Sequence, residues 1–267
     1  MITELHYSNT NTYVIQGKNG ALLFDTGWAG TLQKFLAALG EKKLKLADIR
    51  YLLISHFHPD HMGIAQDLSE MGVKTVVMDV QKDHIHHADE ILLRDRRNDF
   101  CPINDSAVTI VNISESRKFL KQLGINGEVI YTPGHSDDSV SLWLNREKAL
   151  FVGDLNPLYE LEMHKGTKIA ESWEKLLELK PRTVYYGHAR TEVIRHSLFG
   201  RADNSGDSVY ELVKKITKLL DKGCSVDEIQ KITGADPTFI QDAARMYMTH
   251  PNVSVQGILD RIEIKGK

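Results

Sequence analysis

Histidine and aspartate residues directly follow short apolar segments at four places between residues 56 and 188. The segment His56-Phe57-His58-Pro59-Asp60-His61 comes after the apolar run 51–54. Three single residues come after runs that end in glycine, and these are His135, Asp154 and His188. Glycine lets the backbone turn tightly and approach a site closely. This shared context predicts that the chemistry of the chain lies at the ends of its strands.

The segment 56–61 is the strongest of these signals. Extended backbone sends alternate side chains to one side, so His56 and His58 can point together at one metal ion. Pro59 bends the chain and starts a helix, which swings Asp60 and His61 toward a second position. A solvated polar loop is the simpler alternative, but four ligand-type side chains in six residues favour a metal site.

Composition excludes several other classes of protein. The chain has 267 residues, of which 42% are hydrophobic, and a formal net charge of -3 without a long run of Lys and Arg. It lacks an apolar run near the roughly 20 residues that a membrane span needs. The first residues do not resemble a secretory signal peptide, and Cys101 and Cys224 are too far apart in sequence to imply a disulfide framework. We therefore expect a cytoplasmic protein that has no membrane partner.

Strands and helices alternate over the first two hundred residues. Apolar runs predict strands at 13–15, 21–24, 51–54, 74–78, 128–131, 140–144, 149–152 and 183–186. Helical spacing predicts helices at 31–39, 64–71, 81–94, 116–123 and 169–179. The helix predicted at 81–94 carries His84, His86 and His87, which we interpret as a solvated face.

The pattern of the sequence changes near residue 200, from alternating strands and helices to helices alone. The polar, glycine-rich stretch 200–206 predicts a linker between a catalytic domain at 1–199 and a helical domain at 207–267. Helices are expected at 208–221, 226–233 and 237–248, with a capping box formed by Ser225 and Glu228. The last two helices faintly resemble a helix-turn-helix, but the second offers only Arg245 as a cation, which argues against nucleic acid as a partner. A lid or a homo-oligomer contact is favoured instead.

The motifs of residues 1–195, in their order, resemble the metallo-β-lactamase superfamily of binuclear metallohydrolases. The resemblance implies an α+β fold, an αββα sandwich with a small helical C-terminal extension, and metal ions at one edge. It assigns His56, His58 and His135 to one metal. It assigns Asp60, His61 and His188 to the other, with Asp154 bridging both. Asp25 matches the acidic residue that supports the ligand histidines from behind.

The ligand types also bear on the metal and on the subfamily. Imidazole and carboxylate without thiolate suit two divalent ions, with Zn²⁺ favoured and Fe or Mn as alternatives. Some β-lactamases place a cysteine where Asp154 stands. The bridging aspartate instead resembles glyoxalase II and the lactonases.

This site implies hydrolysis of a small-molecule substrate. Two metals about 3.5–4 Å apart can share one water and lower its pKa from about 16 toward 7. The resulting metal-bound hydroxide would attack the carbonyl of an ester, thioester, lactone or β-lactam. Asp60 is the expected catalytic residue, because it can orient the hydroxide and move its proton.

Two alternatives remain: a phosphodiesterase or nuclease of the same superfamily, and an iron-dependent redox enzyme. The substrate pocket has candidate lining residues at Trp28, Phe57, Tyr159, His164 and Arg190.

Overall fold

The structure is a computed structural model that describes residues 1–94, 99–194, 207–235, 237–249, 255 and 257–258. Internal contacts divide the chain into two compact units, Met1–Ile194 and Arg195–Lys267. The stretch 200–206, which the sequence predicts to be a linker, lies outside the described residues. The two units are described separately below.

The described strands of the first unit form a six-stranded and a five-stranded sheet. The first sheet runs in chain order through β1 (Ile2–Leu5), β2 (Thr12–Gln16), β3 (Ala21–Phe24), β4 (Ile49–Leu53), β5 (Lys74–Met78) and β6 (Thr109–Val111). Its pairs are antiparallel up to β3 and parallel from β3 onward. The second sheet contains β7 (Gly127–Tyr131), β8 (Val140–Leu144), β9 (Ala149–Phe151), β10 (Thr183–Tyr185) and β11 (Glu192–Val193). Its spatial order is β11-β10-β9-β8-β7.

Short helices connect these strands. They are α1 (Leu32–Glu41), α2 (Pro59–Met62), α3 (Ala65–Glu70), α4 (Asp89–Arg94), α5 (Ser116–Gln122) and α6 (Lys168–Glu178). Five 3-10 helices are found in the described residues, and these are Leu46–Asp48, Asp79–His84, Asp105–Ala107, Ile113–Glu115 and Leu158–His164.

Alternating side chains explain why the sheets pack into layers. On β3, Leu22 and Phe24 belong to a core cluster that also contains β8 and β9 residues, while Leu23 faces a second cluster with Phe35 of α1. The same period of two places the outer residues of β8 and β9 against Trp173 of α6. The order of layers is therefore helix, sheet, sheet, helix, which confirms the αββα sandwich predicted from the sequence.

Two differences from the predicted elements matter. The predicted single helix at 81–94 is helical at both ends but interrupted: the segment is a 3-10 helix, Asp79–His84, then a turn, then α4. The buried Gln81 side chain accepts a hydrogen bond from the Met78 amide and donates one to the Ile54 carbonyl. Ile85 and Ala88 are buried in the core, so tertiary contacts determine the path of this segment. The second difference is that strands β1 and β6 were not predicted from the sequence. They lie at opposite ends of the first sheet, and their short runs give little periodic signal.

Backbone hydrogen bonds join the strand ends that carry the candidate ligands. The Val140 amide donates to the Ser55 carbonyl at 2.8 Å, which ties β8 to the end of β4. Strands β9 and β10 are parallel neighbours, and the Gly187 amide donates to the Gly153 carbonyl at 2.7 Å just beyond them. Residues 56, 154 and 188 are thereby brought to one edge of the sandwich.

The second unit contains the helices α7 (Asp207–Asp221), α8 (Val226–Thr233) and α9 (Pro237–Thr249). They pack around a core that includes Val213, Ile229 and Ile240. The predicted capping box is confirmed, since the Ser225 and Glu228 side chains each bond the backbone amide of the other residue. Among the helices that the structure describes, none has the length and apolar character that a membrane crossing requires.

Candidate metal centre

The seven side chains predicted to bind metal lie together at the sandwich edge. Three groups have ligand atoms within 4.8 Å of one another: His56 with His58 and His135, Asp60 with His61 and His188, and His56 with His61 and Asp154. The first two groups correspond to the two predicted metal positions. The third joins one histidine from each of them to Asp154.

The inner part of the site rests on Asp25, which is fully buried behind the histidines. His61 Nδ1 donates to Asp25 Oδ2 at 3.0 Å, and the same carboxylate accepts the Ser55 amide at 2.6 Å and the Ser55 hydroxyl at 2.8 Å. The Ser55 hydroxyl in turn accepts His56 Nδ1 at 3.0 Å. Both rings therefore hold their proton on Nδ1, and both Nε2 atoms keep a lone pair for a metal.

Asp154 occupies the middle of the cluster. One carboxylate oxygen lies 3.1 Å from His61 Nε2, and the other lies 3.4 Å from His188 Nε2 and 3.6 Å from His135 Nε2. Its side chain thus reaches histidines of both predicted metal positions, as a bridging carboxylate must.

The outer part of the site is open to solvent. His58 Nδ1 and His135 Nε2 lie 3.1 Å apart, and both residues are exposed. His188 donates from Nδ1 to the carbonyl of Asn9 at 2.9 Å, so its Nε2 faces Asp60 Oδ2 at 3.0 Å. Helix α2 begins at Pro59 as predicted, and the Thr10 hydroxyl donates to the Asp60 carbonyl at 2.7 Å.

The electrostatics of the cluster favour positive charge. Burial raises the pKa of Asp154, but the His188 and His61 side chains beside its carboxylate outweigh it and hold that pKa far below its ordinary range. Asp60 follows the same pattern: burial opposes ionisation, yet the His188 hydrogen bond and the nearby His61 side chain lower its pKa. Hydrogen bonds to Asp154 and Asp60 raise the pKa of His188 to about 10. Two carboxylates are therefore ionised among ring nitrogens, a setting that suits a cation.

Three buried polar atoms test whether a metal fits here. His56 Nε2, His61 Nε2 and Asp154 Oδ1 are buried without a hydrogen-bond partner. A buried polar atom without a partner costs roughly 1–3 kcal/mol, and such atoms are rare in folded proteins. All three belong to one cluster of candidate ligands, so coordination to a metal ion accounts for them together.

Two glycines make this close approach possible. A Cβ added at Gly187 would lie 2.4 Å from Asp154 Oδ1 and 2.9 Å from His61 Cε1. Gly153 has a φ of +56°, and a Cβ there would lie 2.4 Å from the Ser55 hydroxyl. The glycines that precede Asp154 and His188 in the sequence therefore give room for the carboxylate and its neighbours.

Sequence reasoning missed the side chains that hold the loop 55–58 in place. The Gln81 amide is fully buried and donates to the carbonyls of Ile54, Ser55 and Asp138 at 3.0–3.2 Å. The Asp138 carboxylate accepts the Phe57 amide at 2.7 Å. These residues lie 27 and 81 positions from their partners. Asp138 lies three residues after His135, and this nearness to a ligand was the one signal available in the sequence.

A cavity of about 340 Å³ adjoins the cluster at His58. His84 and His87, which the sequence suggests form a solvated face, line this cavity together with Phe57. His86 instead bonds Asp89 at 2.7 Å and Asp105 at 2.9 Å. The lining does not include Trp28, His164 or Arg190. The side chain of Tyr159 lies outside the described part of the structure.

A family model for the metallo-beta-lactamase superfamily matches residues 7–188, so the chain belongs to this superfamily. A solved metallo-beta-lactamase family protein from Thermus thermophilus has the same fold. It is 19% identical, with a TM-score of 0.54 that covers all of this chain and 93% of that one.

Curated relatives extend this likeness to eukaryotes. Beta-lactamase-like protein 2 homolog of Drosophila melanogaster is 29% identical over 67% of this chain and 58% of its own length. Atrochrysone carboxyl ACP thioesterase of Claviceps purpurea is 26% identical over 68% of this chain and 51% of its own length. The match thus spans little more than half the length of these relatives.

Proposed function

We propose that this protein is a binuclear metal-dependent hydrolase of carbonyl substrates, namely esters, thioesters, lactones or β-lactams. The observation that carries the proposal is the arrangement of seven side chains. Two groups of three face one another across Asp154, and the buried atoms without partners lie where the groups meet. Seven donors exceed what one transition metal needs, whereas two metals would use them all.

In the proposed site, His56, His58 and His135 would hold one divalent ion, and Asp60, His61 and His188 would hold the other. Asp154 would be a ligand of both. Zinc is the favoured metal, because the donors are imidazoles and carboxylates without thiolate. Bound metal ions supply Lewis-acid polarisation of the substrate carbonyl and a water of lowered pKa.

Within this proposal, the residues of the chain orient the reactants. Asp60 accepts the proton of the attacking water and holds that water in line with the carbonyl. Its side chain is fixed by His188, while its backbone carbonyl is held by Thr10. Asp25 fixes the His61 ring so that Nε2 faces the site.

Two findings support a carbonyl substrate over a nucleic acid. The Claviceps relative is named a thioesterase, and hydrolysis of a thioester requires attack on a carbonyl. The cavity beside His58 is lined by apolar residues, histidines, aspartates and a serine, without Lys or Arg among its lining residues. A phosphodiester backbone normally needs several such cations.

The test is a substrate panel. Protein loaded with Zn²⁺ is assayed against thioesters, lactones, β-lactams and phosphodiesters, and the same protein stripped by a chelator is the control. We expect hydrolysis of at least one carbonyl class, with a kcat/KM well above that for the phosphodiesters and loss of activity on stripping. Faster hydrolysis of phosphodiesters would overturn the proposal and favour the nuclease alternative.

A further inference from the structure

The cavity beside His58 is lined by both apolar residues and imidazoles. Pro59, Ala88 and Ile91 are among its apolar residues, and Ile91 is 61% exposed. His84 and His87 add two imidazoles to its wall. A volume of about 340 Å³ falls at the lower end of the range for small-molecule pockets. Its position next to a candidate metal ligand makes it a place where substrate can lie.

The two imidazoles of this wall are bonded to each other. Their Nδ1 atoms lie 3.2 Å apart and their ring centroids 4.5 Å apart. One Nδ1 must donate to the other, so the neutral pair presents one Nε2–H donor and one Nε2 acceptor. In the described residues neither Nε2 has a hydrogen-bond partner, which leaves both available to a ligand.

Carboxylates on the cavity wall already have partners. Asp137 bonds Lys168 Nζ at 2.9 Å, and Asp138 accepts the Phe57 amide at 2.7 Å. The His84–His87 pair therefore supplies a hydrogen-bond donor of this lining that is still free for a ligand. The free Nε2–H of the pair can donate to a carboxylate oxygen, and hydrogen bonds to an ionised acceptor are the strong ones.

The wall is also held rigidly against the metal centre. Ile85 and Ala88 are buried beside the two histidines. Gln81, one turn earlier, bonds the carbonyls of Ile54 and Ser55, directly before His56. Since the histidines and the candidate ligands share this support, a ligand bound to one has a defined position relative to the other.

We propose that this cavity binds the variable group of the substrate, that the His84–His87 pair recognises a carboxylate on it, and that Pro59, Ala88 and Ile91 hold the apolar or aryl part that carries this carboxylate. The inference rests on the proposed hydrolase function, since it names a substrate class for the same site: small anionic thioesters or esters with an apolar group between the carboxylate and the scissile carbonyl.

Two matched pairs of compounds test the inference. The unreactive pair is para-acetamidobenzoate and para-acetamidobenzamide, titrated into the metal-loaded protein while the His84 and His87 imidazole resonances are followed by NMR. The reactive pair is S-(para-carboxyphenyl) thioacetate and S-(para-carbamoylphenyl) thioacetate. Each is assayed with wild type, with the double variant His84→Gln/His87→Gln and with the control His86→Gln, whose side chain bonds Asp89 and Asp105 instead.

We expect the benzoate, but not the benzamide, to shift the resonances of both imidazoles. The double variant should raise KM for the carboxyphenyl thioester by about tenfold at unchanged kcat, which is the loss of one charge-assisted hydrogen bond. KM for the carbamoyl compound should stay within twofold, and His86→Gln should match wild type on both.

Equal responses to the acid and the amide, or no response of the imidazoles, would overturn the carboxylate site. Equal increases in KM for both thioesters would do the same. If metal-loaded wild type hydrolyses neither thioester, the thioesterase assignment fails, and the titration with the unreactive pair still decides whether the carboxylate site exists.

Discussion

The inner and outer histidines of the candidate metal centre differ in how the protein holds them. The inner pair, His56 and His61, has side chains that are 0–1% exposed, and a buried network through Ser55 and Asp25 fixes both rings. The outer histidines include His135 and His188, whose side chains are 30% and 35% exposed. His188 bonds the Asn9 carbonyl and Asp60 from this exposed position, and His135 contacts its neighbour His58.

This difference indicates that the inner histidines are part of the fold and that the outer histidines form the open side of the site. The inner network belongs to the fold itself, because it joins β4, the loop after β3 and helix α2 and shields them from water. Its geometry is therefore present before any metal binds. The outer histidines face the side from which substrate and solvent arrive, where burial is impossible. We infer that metal ions supply much of the order of the outer half.

The largest expected effect comes from breaking the inner network. Asp25→Ala leaves Ser55 and His61 donors buried without an acceptor and places alanine at a φ of +62°. Removing one partner from a buried charged network costs about 3–5 kcal/mol, so the free energy of unfolding should fall by that amount. Urea unfolding with a chelator present measures it without a contribution from metal.

His188→Ala is the matched change in the outer half. In the chelator it should lower the free energy of unfolding by less than Asp25→Ala does, because the ion pairs of this partly exposed side chain with Asp60 and Asp154 are screened by solvent. Asp25→Asn, which keeps the shape and tolerates positive φ, should fall between the two. A loss as large for His188→Ala as for Asp25→Ala would contradict the division into a prebuilt inner half and an open outer half.

Asp60 lies between the two halves and carries the expected proton transfer. Asp60→Asn preserves the shape but is a poor proton acceptor, so kcat on the best substrate should fall by about 100-fold or more. Steady-state kinetics and metal content must be measured on the same sample, because the second metal can weaken as well. Asp105→Asn, an exposed carboxylate far along the chain, is the control that should retain activity. Wild-type kcat in Asp60→Asn with its metals retained would exclude a catalytic role for Asp60.

The sequence could predict the strands and the candidate ligands for one shared reason. The buried runs 51–54, 149–152 and 183–186 are short and apolar, and each leads directly to histidine or aspartate. A side chain that directly follows a buried strand has little freedom in position, so local pattern determines it. The fold class was implied by the family resemblance, and both the family and the fold class are confirmed.

The side chains that hold the candidate ligands in place could not be predicted from local sequence pattern. Gln81 and Asp138 act through hydrogen bonds to loops far away in sequence, and neither stands in a motif. The segment 79–94 has helical spacing, yet its buried Gln81, Ile85 and Ala88 satisfy contacts that a continuous helix would not. His84 and His87 face solvent to the extent that the sequence suggested, and they also line a cavity, which only the tertiary structure could reveal.

The comparison of the inner and outer histidines also predicts that removing the C-terminal helices has only a small effect on metal content. All seven candidate ligands belong to the unit Met1–Ile194. A chain that ends at residue 199 should therefore keep its metal content within error. Substrate range or oligomeric state should change, as expected if these helices form a lid or a homo-oligomer contact. Elemental analysis and light scattering of the truncated chain are the measurements. Sequence-selective binding of duplex DNA by the full chain at physiological salt would contradict this role.

The smallest expected effect concerns His86, which lies between two carboxylates as His61 does, but at the surface. Hydrogen bonds to Asp105 and Asp89 raise the pKa of His86. Its stabilisation is therefore complete below the unfolded pKa of about 6.5 and disappears as pH rises through the higher folded value. Since the side chain is 45% exposed, screening limits the gain to below about 1 kcal/mol. His86→Gln should lower thermal stability at pH 6 and leave it unchanged at pH 9; an equal loss at both would contradict the assignment.

The most direct test of the proposed binuclear centre is the metal content of the purified, metal-replete wild-type chain, compared with that of Asp154→Ala. Asp154 reaches histidines of both groups, so its loss should weaken both metal positions. We predict close to two transition-metal ions per wild-type chain and fewer than one in Asp154→Ala after the same dialysis. One tightly held ion in the wild type, unchanged by Asp154→Ala, would contradict the shared, two-metal site.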